Sequence, residues 1–108
     1  MKGWIYCVTN KHNGKMYFGQ TSRGVAERWK SHCDHSVSPH NNKFHNAIHK
    51  YGKEAFEVIT VIEVEAEDFD ELLEKLNFLE EYFVWKFNTK KFGYNSTWGG
   101  DGCKGAEW

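Results

Sequence analysis

The sequence predicts a small α+β domain: a three-stranded antiparallel β-sheet flanked by helices, in the order β-β-α-α-β-α. Three observations predict it. Two strand-like runs near the start flank an Asn-Gly pair. A third run, rich in β-branched residues, stands alone at residues 56–64. Segments with apolar residues at helical spacing lie between and after these runs. A chain of 108 residues makes one domain with a single modest core, and at 17% aromatic residues a few large rings fill much of it.

The opening strands, residues 3–10 and 15–21, form a hairpin whose turn takes its positive φ angles from Asn13 and Gly14. With those two residues central, Asn10 faces Tyr17, Val8 faces Gly19 and Tyr6 faces Thr21. Tyr6, Tyr17 and Gly19 then project from one side of the ribbon. The missing side chain of Gly19 leaves space between the phenols where a ligand could approach the backbone. Two tyrosines on one strand face also suit a plain core, and the hairpin alone does not choose.

A first helix over residues 23–34 places Val25, Ala26, Trp29 and Cys33 on its apolar side. Arg28 and His32 lie four residues apart, on one face. A loop rich in Ser and Asn, containing Pro39, leads to a short helix over 44–51. That helix carries Phe44, Ile48 and Tyr51 on one side and ends at Gly52. After the third strand, a long helix spans about residues 68–88, with acidic residues in its first turn that suit the helix dipole. With Phe69 set at 0°, Leu72, Leu73, Leu76, Leu79, Phe83, Val84 and Phe87 fall between about 280° and 60°, and Glu80 falls at about 20°. Glu81 points elsewhere. A carboxylate on a core-facing stripe is costly unless it is paired or binds a metal, so Glu80 either snorkels or pairs with an arginine, or serves as a metal ligand or acid/base group at a cleft edge. The glycine-rich stretch after the long helix is read as irregular.

Charge is segregated along the chain. Residues 1–53 carry +7 and all six histidines, and residues 54–108 carry −8. The first half is a candidate phosphate-facing surface. The three cysteines are widely spaced without a Cys-x-x-Cys pair, which argues against a disulfide framework. Cys33 and His35 have no second half-site at zinc-finger spacing. No signal-like segment or bilayer-length apolar run is present, so the expected setting is soluble and cytoplasmic, without membrane contact. Two tyrosines, an arginine, a histidine and a helix-borne glutamate are the parts phosphodiester hydrolysis requires. They can position and deprotonate water, offset developing charge and hold a divalent metal.

These residues, in this order, resemble the GIY-YIG nucleases. Trp4-Ile5-Tyr6 and Tyr17-Phe18-Gly19 stand for the two name-giving tripeptides, with Trp4 replacing a glycine. "ERWKSH" (27–32) is similar to the family's arginine-bearing helix, and "AIHKYGKEAFEV" (47–58) to a segment of its phage and homing-endonuclease members. "NFLEEYFVWKFNTKKFGYN" (77–95) resembles the glutamate helix and its closing Gly-Tyr-Asn, and "NSTWGGDG" (95–102) the stretch after it. The resemblance implies a DNA endonuclease domain over 1–95, leaving 5′-phosphate and 3′-hydroxyl ends. Residues 96–108 follow as a glycine-rich tail with no separate DNA-binding domain. By position, Tyr6 is implied as general base or water-orienting group, and Tyr17 as a partner of the phosphate or nucleophile. Arg28 is implied to stabilise the transition state with His32 assisting, and Glu80 to hold one Mg²⁺ or Mn²⁺. Gly19, His40 and Asn95 are implied to line or close the substrate site. Arg28, the metal and a protonated His32 are expected to lower the Tyr6 pKa. The family's setting is a bacterial or phage-infected cell, and the protein is expected to act as a monomer or transient dimer. Two other readings remain open here: a nucleic-acid- or partner-binding module without activity, and a structural domain with an Arg28–Glu80 ion pair.

Overall fold

The computed structural model describes residues 1–37 and 42–99. Its architecture is the predicted α+β domain with a three-stranded antiparallel sheet. In chain order the elements are β1 (Lys2–Asn10), β2 (Met16–Thr21), α1 (Val25–Asp34), α2 (Lys43–Tyr51), β3 (Phe56–Glu65), α3 (Phe69–Phe87) and a single-turn α4 (Thr89–Phe92). A 3₁₀ turn, Lys53–Ala55, joins α2 to β3. Neither that turn nor α4 is predicted from the sequence, because three or four residues carry no periodicity to detect.

The sheet order is β2-β1-β3, so the first strand is the central one. Alternation along β1 therefore feeds two cores instead of the single one expected. Tyr6 and Val8 pack with Phe44, Ile48 and Phe56 on the α1/α2 side. Ile5 and Cys7 pack with Phe18, Leu72, Leu76 and Val84 on the α3 side. On the partner ladder β3 carries one extra residue, because Ile5 faces Ile62 while Tyr6 faces Thr60. The half-buried Trp4 donates its indole N–H to Glu63 across this ladder at 3.1 Å.

The hairpin register departs from the expected one by two residues. Trp4 faces Thr21, Tyr6 faces Gly19 and Val8 faces Tyr17. The cause is a longer loop. Asn10 N–H donates to Lys15 O (2.9 Å), and Gly14 N–H donates back to Asn10 O (2.8 Å). Only Gly14 has positive φ (74°), and Asn13 instead accepts the Lys15 N–H through its side chain. A two-residue slip leaves every side chain on its predicted face.

All three predicted helices keep the expected limits to within two residues. Asn42 caps α2 by accepting from the Phe44 and His45 N–H groups, and Gly52 ends it at φ 84°. Asp68 caps α3, which ends at Asn88 in the left-handed region. Three apolar positions expected inside lie outside: Ala26 in the first turn of α1, Tyr51 and Phe87. Tyr51 stacks on the exposed His12 (5.9 Å between centroids), and Phe87 stacks on the core residue Phe18 (5.3 Å).

Candidate active site

Tyr6 and Tyr17 do share the α1/α2 face of the sheet, with ring centroids 6.2 Å apart. The space expected beside Gly19 is taken by Tyr6 itself. A Cβ on Gly19 would lie 2.5 Å from the Tyr6 Cζ and Oη and 2.9 Å from the Tyr17 ring. Glycine there is a packing requirement of the phenol pair, because Tyr6 lies directly opposite it across the ladder. Tyr17 stacks flat on Phe44 with centroids 4.0 Å apart.

Arg28 and His32 reach Tyr6 from α1. Tyr6 Oη lies 2.8 Å from His32 Nε2, and the Arg28 side chain hydrogen-bonds the same phenol. Burial, reinforced by Tyr17, raises the Tyr6 pKa well above the usual phenol value. Arg28 pulls in the opposite direction, as expected, but burial outweighs it. The expected cationic His32 is absent. Burial first, then the charge of Arg28 and the neighbouring His45 and His35, push its pKa down to about 2.

A neutral buried imidazole has a consequence for stability. The unfolded chain takes up a proton below about pH 6.5 that folded His32 refuses, so stability is full above that pH and falls below it. The loss accrues at up to about 1.4 kcal/mol per pH unit. Urea titrations near neutral pH and at lower pH check this. Wild type is expected to lose more stability on acidification than a His32→Gln variant, and equal losses would contradict it.

Glu80 is 5% exposed and continues the row Leu72, Leu76, Val84 on the buried side of α3, while Glu81 is exposed. Its Oε1 accepts from Gln20 Nε2 at 3.1 Å, and the same nitrogen donates to Asn77 Oδ1 at 2.8 Å. Gln20 and Tyr17 point to opposite faces of β2. Yet Glu80 and Tyr17 line one cavity of about 140 Å³, with Asn42, Asn95 and Thr97 among its other walls. The cavity therefore wraps around the outer edge of β2, the strand at the sheet margin. Tyr6, 1% exposed, is not among its lining residues, and Arg28 borders a second cavity of about 90 Å³ with Thr21 and Ser31. Among the described residues no three His, Cys, Asp or Glu side chains form a ready-made cation cage. One buried carboxylate facing a polar cavity, with amide and hydroxyl residues beside it, suits a hard divalent ion that keeps most of its water.

Asn95 serves the strand edge. Its Oδ1 accepts the Phe18 N–H (2.9 Å) and its Nδ2 donates to Phe18 O (2.8 Å), completing the ladder that β2 lacks on that side. Tyr94 N–H adds a bond to Met16 O (2.9 Å), and the Tyr94 hydroxyl accepts from the side-chain amides of Asn10 (3.0 Å) and Asn13 (3.1 Å). The closing Gly-Tyr-Asn thus holds both the edge and the hairpin loop, and Asn95 also borders the cavity. His40 lies outside the described residues, as do Pro39 and residues 100–108 of the tail. Sequence reasoning missed Gln20 and His45. Strand alternation places Gln20 on the α3 face with Phe18. A helical wheel centred on Phe44 and Ile48 sets His45 at the rim of the buried stripe.

A profile of the GIY-YIG catalytic domain matches residues 2–95. A variant of the catalytic domain of intron endonuclease I-TevI superimposes with a TM-score of 0.69 at 29% identity, over 90% of this chain and 95% of that one. A second structure, of the catalytic domain of homing endonuclease I-TevI, gives 0.65 at 26% identity, over 88% and 98%. Uncharacterized protein 019R of Invertebrate iridescent virus 6 is 30% identical over 82 residues. That match covers 76% of this chain and 28% of the relative, so the chain spans little more than a quarter of the relative's length. Among the described residues, no helix is long and apolar enough to cross a membrane.

Proposed function

Because the chain belongs to the GIY-YIG family of catalytic domains, we propose that it is a metal-dependent DNA endonuclease producing 5′-phosphate and 3′-hydroxyl ends. The observation that carries the reading is one cavity lined by both Tyr17 and the buried Glu80, backed by a hydrogen-bonded cluster of Tyr6, Arg28 and His32. Tyr17 holds the attacking water or a phosphate oxygen. Tyr6 is the general base or the group that orients that water, with its hydroxyl proton held toward His32 Nε2. A phenol that orients the water needs no standing phenolate, which suits its raised pKa. The donor-only guanidinium of Arg28 offsets the negative charge that develops on the phosphoryl group. Glu80 would hold Mg²⁺ or Mn²⁺, which when bound polarises the phosphoryl oxygen and stabilises the departing one. Asn95 closes the site at the β2 edge, Gly19 admits the phenols against the backbone, and His40 contacts substrate.

Phosphate contacts come from a cluster that the sequence divides between its two halves. Lys43 Nζ donates to Lys90 O at 2.6 Å, and its pKa is lowered by burial and by the charges of Lys90 and Lys15. Lys90 Nζ sits 5.1 Å over the Trp98 ring. Asn42, beside Lys43, and Thr97, beside Trp98, border the Glu80 cavity, so the cluster adjoins it. Lysines and an exposed indole side by side suit a sugar-phosphate strand, with weak dependence on base sequence. A Lys43→Ala/Lys90→Ala double variant is expected to bind all duplex sequences more weakly. Its plot of log affinity against log salt should be shallower by about two, measured by fluorescence anisotropy. An unchanged slope would remove these lysines from the interface.

The test of function is nicking of supercoiled plasmid by the purified chain with Mg²⁺, stopped by EDTA. The burial of Tyr6 favours one second reading, a binding module without activity. It predicts DNA retention and no nicking with Mg²⁺ or Mn²⁺. Nicking of one strand at a time fits a monomer or transient dimer, and an infected or bacterial cell is the proposed setting.

A further inference from the structure

His45, in the first turn of α2, is half-buried beside His32 and belongs to none of the family motifs. Its Nε2 lies 2.8 Å from His32 Nδ1, with ring centroids 5.0 Å apart. The opposite nitrogen of His32, Nε2, lies 2.8 Å from Tyr6 Oη. Counting donors and acceptors orients this row. The Arg28 guanidinium only donates, and it hydrogen-bonds the Tyr6 oxygen. The phenol's own proton is buried and needs an acceptor, and His32 Nε2 is within reach. A neutral imidazole with a bare Nε2 carries its proton on Nδ1. That N–H then points at His45 Nε2, which must accept it.

We propose that His45 is a positioning residue for the phosphodiester reaction: it locks His32 in the Nδ1–H tautomer, so that His32 Nε2 faces Tyr6 as an acceptor. The catalytic half of this inference rests on the endonuclease reading. The tautomer rests on hydrogen-bond geometry alone. With His32 Nε2 as acceptor, the Tyr6 hydroxyl proton is fixed toward His32, which sets the direction of the phenol oxygen's lone pairs. The groups facing His32 are Tyr6 from β1, Tyr17 from β2, Arg28 from its own helix, His35 just past that helix's end, and Phe44 and His45 from α2. None of these is a carboxylate, so the acceptor for its N–H is an imidazole. With the opposite tautomer, His32 Nε2 would donate to the Tyr6 oxygen, and the buried phenol proton would lose this acceptor.

Long-range ¹H–¹⁵N spectra of the ¹⁵N-histidine-labelled chain read tautomers without any assay of activity. The expected result is His32 with Nδ1 protonated and Nε2 bare, lost or averaged in His45→Ala and restored in His45→Gln, whose side-chain carbonyl can accept the same N–H. In the nicking assay, His45→Ala is expected to lower kcat by about 10²-fold with KM little changed, and His45→Gln to recover most of it. A wild-type His32 protonated on Nε2, or a His45→Ala variant with unchanged tautomer and kcat, would overturn the proposal. A wild-type chain that shows the tautomer and never nicks DNA would instead count against the endonuclease reading.

Discussion

Substituting Glu80 by glutamine is expected to reduce Mg²⁺-dependent nicking by about 10³-fold or more while leaving the fold and DNA affinity in place. The amide is nearly isosteric, and its carbonyl can still accept from Gln20 Nε2, which now bonds Oε1 at 3.1 Å. The variant therefore leaves no hole in the Leu72–Leu76–Glu80–Val84 row. Removing a charge from a 5%-exposed site also relieves a desolvation cost, so the melting temperature should stay or rise. What disappears is the charge that attracts a hard divalent ion to the cavity shared with Tyr17. Plasmid nicking measured beside a thermal melt separates the two effects. Undiminished nicking by the glutamine variant would end Glu80's assignment as the metal-binding residue.

Asn95→Ala is expected to act mainly on stability, by about 3 kcal/mol. The side chain satisfies three buried partners at once: the Phe18 N–H, the Phe18 carbonyl and the Thr89 hydroxyl, which donates to Oδ1 at 2.8 Å. Alanine strands all three where the residue is only 5% exposed. For a chain near 100 residues that loss corresponds to a fall in Tm of about 15 °C. Circular dichroism melts are the check. A variant that melts like wild type but has lost nicking would make Asn95 a substrate residue and not the clamp on the β2 edge.

Asn95 marks where sequence reasoning reaches its limit. Its place in the closing Gly-Tyr-Asn suggested a site residue, and nothing along the chain said that its amide imitates a missing strand. That role exists only because β2 ends up at the sheet margin, a matter of strand order. The hairpin behaved similarly. Which side chains share a face was legible, because parity survives any even change of register. The pairing of Tyr6 with Gly19 was not legible, because it depends on a loop longer than the Asn-Gly pair suggested. The charge segregation along the chain was real, but Lys90 and Lys15 converge on Lys43 across it only because α4 folds back beside the hairpin.

What the sequence determined by itself follows from local periodicity. The order of the principal elements, the common face of the phenols, the neighbouring Arg28 and His32, and the inward direction of Glu80 all come from the 3.6- and 2-residue repeats of helix and strand. Those repeats are properties of the backbone and need no partner. The tertiary structure alone decided the burial of Tyr6, the neutral state of His32, its bond to His45, and the wrapping of one cavity around the β2 edge. Each of these depends on distances between segments far apart in the chain. Solvation and hydrogen bonding respond to those distances steeply, and residue order does not encode them directly.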